Sequence, residues 1–371
     1  MPVRLRRSSF AVRRQPVTVL LVCLCLAACA TQPATPPAET DAQTGLILSF
    51  ITDRSSMVWP PVPDKPRYRY VGQLLGEQNF PRQEQSFGRR LLGWLAGLGS
   101  SKHQPLALQR PQSGLVTTDG RILVTDVGRS AVFAFDRHRS TVQIWEMAGA
   151  RTRFVTPVGI VEGNNGQILV ADADLGRIIR LDGQDGEPLG GFGGDVLERP
   201  TGLARDPVAG EIYVADSQAH KVQVFSDDGM WQRSIGQRGE GAGEFNGPTY
   251  VTLWHGTLYV TDTLNSRVQL FDTEGRYLRS VGRRGLYVGD MPRPKGNTVD
   301  KDGNLYVVES YYDYLLIFND KGDFLLPIGG TGNTIGRFYL PAGVWSDDHD
   351  RIYVADTFNG RIVIFQYLGD S

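Results

Sequence analysis

Cysteine is scarce in this chain of 371 residues, which contains 3 of them, Cys23, Cys25 and Cys29. All three lie near the N-terminus, so the rest of the chain has no thiol for a disulfide and must fold on its hydrophobic core. The 5 histidines are scattered over separate segments without the close spacing of metal ligands. We therefore expect no metal and no cofactor.

Acidic residues are missing from the first 28 positions, which carry five arginines and the apolar run 17–28. That run is too short to span a bilayer, and residues 1–28 are predicted to be a signal peptide. The Leu-Ala-Ala-Cys sequence ending at Cys29 resembles the lipobox of bacterial lipoproteins, which implies lipidation of Cys29. The alternative is an ordinary signal peptide cleaved near Ala28. Ala30 favours an outer-membrane lipoprotein that faces the periplasm or the cell surface.

Basic residues are not in excess once this segment is removed. The remaining chain has 34 basic and 40 acidic side chains, a net charge of −6, which disfavours nucleic acid as a partner. Residues 29–64 are rich in proline and predict a semi-extended tether between the lipid and the folded domain.

What the chain does contain is a repeat. An acidic residue follows a short apolar run at steps of 44 to 47 residues, at Asp126, Asp172, Asp216, Asp262, Glu309 and Asp356. A proline precedes each acid by about fifteen residues, at Pro111, Pro157, Pro200, Pro248, Pro294 and Pro341. Two markers with one period indicate a repeat architecture.

Each repeat has the pattern of four short strands. In the fourth repeat these are residues 249–253, 257–261, 267–271 and 277–281, separated by turn signals. Four antiparallel strands per repeat predict an all-β, six-bladed β-propeller over residues 65–371. The sixth repeat ends before a fourth strand, and residues 67–72 resemble the fourth strands of other repeats. An N-terminal strand is therefore expected to close the last blade, and the propeller is expected to be monomeric.

The repeat resembles that of NHL-type propellers, in which a Pro-x-Gly segment precedes Tyr-Val-x-Asp-x-x-Asn-x-Arg and a later Phe. The sixth copy matches this pattern from Pro341 through Asp356, Asn359 and Arg361 to Phe365. The resemblance covers about residues 66–369. It implies the propeller fold but not one function, because NHL propellers serve as enzymes, RNA binders and protein-binding platforms.

The recurring acids are interpreted as structural. Each can accept hydrogen bonds from backbone N–H groups of the tight loop that follows it, and a basic residue five positions later can pair with it. Such a base is present at Arg177, Lys221, Arg267 and Arg361.

Departures from the repeat point to a binding site. The fifth repeat has Glu309 for aspartate, followed by Tyr311, Tyr312 and Asp313, and it has Asn297 where other copies are apolar. The fourth repeat has Tyr250 in place of glycine. These residues are predicted to lie on one face and to recognise a peptide or a small polar ligand. The alternative is neutral variation with compensated packing. Alanine at Glu309, Tyr311 and Tyr312 is expected to abolish capture of the partner without lowering stability.

An insertion at 82–110 interrupts the pattern. It contains a candidate amphipathic helix with Leu91, Trp94, Leu95 and Leu98 along one side. This helix could cap the propeller, meet a partner or touch lipid. It could equally pack flat against the propeller.

The sequence thus predicts a membrane-anchored binding or scaffolding propeller that engages an envelope protein, a peptide or a small polar ligand through one face. The alternative is a lactonase-like hydrolase or lyase with an axial site near Asn297 and Glu309. The residues favour a binding protein over an enzyme, because no catalytic set can be assigned.

Overall fold

The computed structural model describes residues 57–80 and 105–369, and their regular structure is almost entirely β. The helices in these ranges are short 3-10 turns, at Glu77–Asn79, Asn164–Gly166, Thr263–Asn265 and Thr357–Asn359. None of the described helices has the length and apolar character needed to cross a membrane. The predicted signal peptide, Cys29 and the predicted helix with Leu91, Trp94, Leu95 and Leu98 lie outside the described residues.

Apart from one two-stranded hairpin, the described strands form six antiparallel sheets, the blades. The N-terminal strands are β1 (Val58–Trp59) and β2 (Tyr68–Leu74). Blade 1 contains β3 (Pro111–Val116), β4 (Ile122–Asp126), β5 (Ala131–Asp136) and β6 (Thr141–Trp145), and the small hairpin of β7 (Met147–Gly149) and β8 (Thr152–Arg153) follows it. Blade 2 contains β9 (Pro157–Glu162), β10 (Ile168–Asp172), β11 (Arg177–Leu181) and β12 (Pro188–Phe192).

The remaining blades repeat this arrangement. Blade 3 contains β13 (Pro200–Asp206), β14 (Glu211–Asp216), β15 (Lys221–Ser226) and β16 (Trp231–Ile235). Blade 4 contains β17 (Pro248–Trp254), β18 (Thr257–Asp262), β19 (Arg267–Asp272) and β20 (Tyr277–Val281). Blade 5 contains β21 (Pro294–Val299), β22 (Leu305–Glu309), β23 (Tyr314–Phe318) and β24 (Phe324–Gly329). Blade 6 contains β25 (Val344–Ser346), β26 (Arg351–Asp356) and β27 (Arg361–Tyr367).

The N-terminal strand completes blade 6, as predicted. Strand β2 pairs with β27 from Tyr68 opposite Tyr367 to Leu74 opposite Ile362, and β1 adds a short fifth strand outside it. Joining the two ends of the domain in one sheet closes the ring and protects the edge of β27 from other chains. The all-β, six-bladed propeller predicted from the repeat is confirmed.

The first strand of every blade lies nearest the axis. These strands contact one another in a closed ring that runs β3, β9, β13, β17, β21, β25 and back to β3. Blades 1 and 4 are therefore on opposite sides of the axis. Side chains from neighbouring blades pack between them, as Tyr259 and Leu270 of blade 4 pack with Val299 and Leu316 of blade 5. Because both faces of a blade are buried in this way, its second and third strands read as nearly continuous apolar runs, as Ile122–Asp126 and Ala131–Asp136 do in blade 1.

The strand register fixes where the marker residues lie. The proline that begins a first strand pairs with the acid that ends the second strand, as Pro248 does with Asp262 and Pro294 does with Glu309. The segments that lead into the first strands and the loops after the second strands consequently emerge on the same side of the ring. We call this side the upper face.

Candidate functional site

The acids that end the second strands hold the loops of the upper face. Asp126 accepts hydrogen bonds from the backbone N–H groups of Gln109, Arg110 and Arg129 at 2.6 to 3.1 Å. Their role is structural, because each such carboxylate ties its own loop to the segment that leads into the first strand of the same blade.

Two of the predicted acid–arginine pairs form ion pairs. Arg267 Nε lies 2.9 Å from Asp262 Oδ2, and Arg361 Nε lies 2.7 Å from Asp356 Oδ2. Both carboxylates are fully buried. Burial raises the pKa of Asp262 and of Asp356, while the hydrogen bonds and the arginine act in the opposite direction.

Glu309 performs the same structural task in blade 5. Its carboxylate accepts hydrogen bonds from the backbone N–H groups of Arg293 (3.0 Å), Tyr311 (2.9 Å) and Tyr312 (2.8 Å). The side chain is only 1% exposed. The structure therefore changes the expectation that alanine at 309 would leave stability intact, because this carboxylate organises the loop rather than presenting itself to a ligand.

Asn297 also lies away from the surface. It is 0% exposed, and its side-chain Nδ2 donates to the carbonyl oxygen of Tyr259 (3.2 Å) and to Thr261 Oγ1 (2.8 Å) of blade 4. Its Oδ1 has no hydrogen-bond partner among the described residues. The departure at Asn297 links two blades, and the structure does not bring it to the loop that carries Tyr311.

Tyr250 reaches across the axis of the propeller. Its hydroxyl lies 2.6 Å from Ser113 Oγ, which belongs to the opposite blade. Burial raises the pKa of Tyr250 to about 12, although the hydrogen bond to Ser113 acts to lower it. Glycine occupies the equivalent position in blades 2, 3, 5 and 6, where it packs against the next first strand, as Gly202 does against Tyr250, and Ser113 itself occupies this position in blade 1. Tyr250 and Ser113 thus obstruct the axis instead of joining the loop of blade 5.

The remaining predicted residues lie in the loop after β22. Tyr311 is 63% exposed, and its ring meets the ring of Tyr312 edge to face at a centroid distance of 4.9 Å. Asp313 is buried in a left-handed backbone conformation and accepts hydrogen bonds from Thr331 Oγ1 (2.7 Å) and from the backbone N–H of Leu340 (2.8 Å). Among the six predicted contact residues, Tyr311 has the side chain most available to a partner.

The structure reveals a wider set of exposed loop residues, of which the sequence points to Tyr311 alone. The position two residues after each acid lies at the tip of an upper-face loop. In blades 1, 2 and 3 this tip is Gly128, Asp174 or Gln218, whereas in blades 4, 5 and 6 it is Leu264, Tyr311 or Phe358. Leu264 is 57% exposed and Phe358 is 54% exposed. The apolar residues at this position in repeats 4 to 6 are visible in the sequence. They indicate a surface only once the structure shows that the loop tips face solvent.

Other exposed apolar residues lie on the same half of the upper face. Tyr339 contacts Phe358 at a ring-centroid distance of 5.6 Å. Leu286, Tyr287 and Val288 are exposed on the segment between blades 4 and 5. We call this set the apolar half-face, which comprises Leu264, Leu286, Tyr287, Val288, Tyr311, Tyr339 and Phe358.

Comparison with known proteins bears on the fold. Residues 206–250 match a family model described as 6-bladed beta-propeller. No curated protein matches the chain.

Similar solved structures include a protein of unknown function from Bacteroides thetaiotaomicron, with a TM-score of 0.57, 15% identity and coverage of 70% of each chain. Virginiamycin B lyase from Staphylococcus aureus has a TM-score of 0.51 and 15% identity, over 71% of this chain and 99% of the lyase. A gluconolactonase from Xanthomonas campestris has a TM-score of 0.53 and 18% identity, over 70% of this chain and 86% of that one. At such identities the similarity shows the propeller fold and no specific activity.

The chemistry available on the upper face suits recognition. Within residues 57–80 and 105–369 no three His, Cys, Asp or Glu side chains are grouped so that they could hold a metal ion. The apolar half-face instead combines exposed aromatic rings with the guanidinium of Arg284, which donates to the carbonyl oxygen of Leu264 at 3.0 Å. A shallow cleft of about 490 Å³ lies beside it, lined by Arg283, Arg284 and Tyr287 among others.

Proposed function

We propose that this protein is a membrane-anchored binding propeller whose apolar half-face holds a segment of an envelope protein. The observation that carries the proposal is the asymmetry of the loop tips. Three successive blades present Leu264, Tyr311 and Phe358 to solvent, and the other three present glycine or polar residues at the same position.

The fold does not require these apolar tips. The acids that end the second strands hold the loops by accepting hydrogen bonds from backbone N–H groups. Blades 1 to 3 form the same loops with polar residues or glycine at the tip. Leaving large apolar side chains in water forgoes roughly 1.5–3 kcal/mol for each one that a partner could bury completely. Contiguous exposed apolar residues are typical of protein interaction surfaces, and tyrosine is frequent among the residues that dominate binding energy.

The surrounding charges favour a protein segment with acidic groups. Arg284, Arg293, Lys295 and Arg337 lie on upper-face segments of blades 4 to 6, and the acids of the loops between them, Glu309, Asp313 and Asp356, are buried. Glu240 is an exposed acid on the segment that leads into blade 4, but the exposed cations of this half outnumber it, which complements an acidic partner and favours its association.

The anchor in this proposal comes from the sequence. Lipidation of Cys29, export to the outer membrane and the part of the predicted tether that precedes β1 would hold the propeller near the membrane within reach of envelope proteins, since β1 itself pairs with β2 in blade 6. The likeness to NHL-type repeats supports a binding platform, because propellers of that type include such platforms.

Site-specific photo-crosslinking in the native envelope tests the proposal. A benzoylphenylalanine is placed at position 358 or 311 of the full chain, and a matched control carries it at position 231, where Trp231 is a comparably exposed aromatic residue on the outer strand of blade 3. One polypeptide should be captured from 358 and 311, be absent from 231 and be lost when Leu264→Ser is added. Adducts with lipid alone, or equal capture from all three positions, would refute the proposal.

A further inference from the structure

Two cations on the upper face of blade 5 have no anionic partner among the described residues. Arg293 is exposed on the segment that leads into β21, and Lys295 is half-buried one residue inside that strand. Within the part of the chain that the structure describes, neither side chain makes an ion pair or a hydrogen bond. Their neighbours do, since Arg283 pairs with Asp290 at 3.0 Å and Arg284 donates to Leu264 and Ser266.

Lys295 is not required by the architecture. The same position after the first-strand proline carries an uncharged residue in every other blade, namely Gln112, Val158, Thr201, Thr249 and Ala342. Burial lowers the pKa of Lys295, and the positive charge of Arg293 lowers it further. A partly desolvated cation beside a second cation is unfavourable unless an anion joins them.

The carboxylates of the adjacent loop do not supply that anion. Glu309 is occupied by three backbone N–H groups, and Asp313 is occupied by Thr331 and by the backbone N–H of Leu340. Their buried negative charges do, however, limit the negative charge that a ligand of Arg293 and Lys295 can carry. A single carboxylate is therefore favoured over a doubly charged phosphate.

We infer that Arg293 and Lys295 form a carboxylate subsite next to the loop that carries Tyr311, because Glu309 accepts hydrogen bonds from the backbone N–H groups of both Arg293 and Tyr311. This inference rests on the proposed function and deepens it, because it assigns an acidic group next to an apolar or aromatic side chain to the bound protein segment. Charge-assisted hydrogen bonds from guanidinium and ammonium groups to a carboxylate are stronger than neutral ones. The apolar half-face would then supply contact area, and the cation pair would select the acidic group.

Protection of Lys295 from acetylation tests the subsite without knowledge of the natural partner. The full chain is treated briefly with acetic anhydride, and labelling of each lysine is followed by mass spectrometry. The probe is N-acetylphenylalanine, which joins an aromatic ring to a carboxylate, and the matched control is its uncharged amide. Lys321 is the internal reference, because it is exposed at the turn between β23 and β24 on the opposite face of the same blade.

The carboxylate probe should slow labelling of Lys295 about tenfold when its concentration is about ten times its dissociation constant, because only the free site reacts. The amide should not protect Lys295, Lys321 should be unaffected, and Arg293→Gln should remove the protection. Equal protection by the amide would refute the carboxylate subsite and leave the apolar half-face standing. Stronger protection by inorganic phosphate, or none by the carboxylate, would also refute the subsite, while the crosslinking experiment decides separately on the proposed function.

Discussion

Replacing Glu309 by alanine tests whether this departure from the repeat is structural or functional. The substitution removes the acceptor of three backbone hydrogen bonds, from Arg293, Tyr311 and Tyr312 at 2.8 to 3.0 Å. A buried N–H group left without a partner costs about 1–3 kcal/mol. The loop lies at the surface, so water replaces some of the lost bonds. We expect a loss of about 3 kcal/mol in the free energy of unfolding.

Thermal denaturation followed by circular dichroism measures this loss. For a domain of this size one kcal/mol corresponds to roughly 2 °C, so Glu309→Ala should lower Tm by about 6 °C. The matched control is Tyr311→Ala, which removes a side chain that is 63% exposed and should change stability by no more than about 0.5 kcal/mol. A Glu309→Ala protein with unchanged Tm and no partner capture would show that Glu309 acts in recognition, contrary to our interpretation.

Two further predictions concern closure and titration. Leu74 is fully buried in the closing strand β2, so Leu74→Ala should lower the free energy of unfolding by about 2–5 kcal/mol, measured by urea denaturation. The control Arg69→Ala, on the exposed side of β2, should leave the urea midpoint unchanged. Equal effects of the two substitutions would contradict closure by β2. Burial raises the pKa of Glu309 above its ordinary value of 4.5, so its contribution to stability is fully present below that value and is lost as pH rises through the folded-state pKa. The Tm of the wild type relative to Glu309→Gln should therefore fall as pH rises across this window, and a rise would contradict the assignment.

The blades could be predicted because their determinants are local and recur. The proline and acid markers identify the strands that pair, as Pro248 and Asp262 do. The alternation of apolar and polar residues between turn signals locates the ends of the strands within a few residues. Closure by β2 could be predicted for the same reason, since residues 67–72 carry the pattern of a fourth strand. The repeat therefore allows the fold to be predicted from local patterns, even though the ring is closed by the long-range pairing of β2 with β27.

The candidate site could be predicted only in part, because its geometry depends on contacts around the ring. Tyr250 departs visibly from the repeat, yet its partner Ser113 is 137 residues away on the opposite blade. Asn297 and Glu309 also depart from the repeat, but both are buried and bind other parts of the propeller framework. Of the predicted contact residues, Tyr311 has the most exposed side chain, at 63%.

In this propeller the exposed loop tips are better candidates for partner-binding residues than the buried acids that precede them. The acid that ends each second strand must accept hydrogen bonds from the loop of its own blade. Even the departure Glu309 retains this hydrogen-bonding role. A loop tip such as Phe358 has no comparable task, because its side chain points to solvent and the loop is held by backbone contacts from its neighbours. The fold cannot account for three apolar tips in successive blades, and an exposed apolar surface is unfavourable in water. A partner that covers Leu264, Tyr311 and Phe358 together gives these residues a physical reason to be apolar.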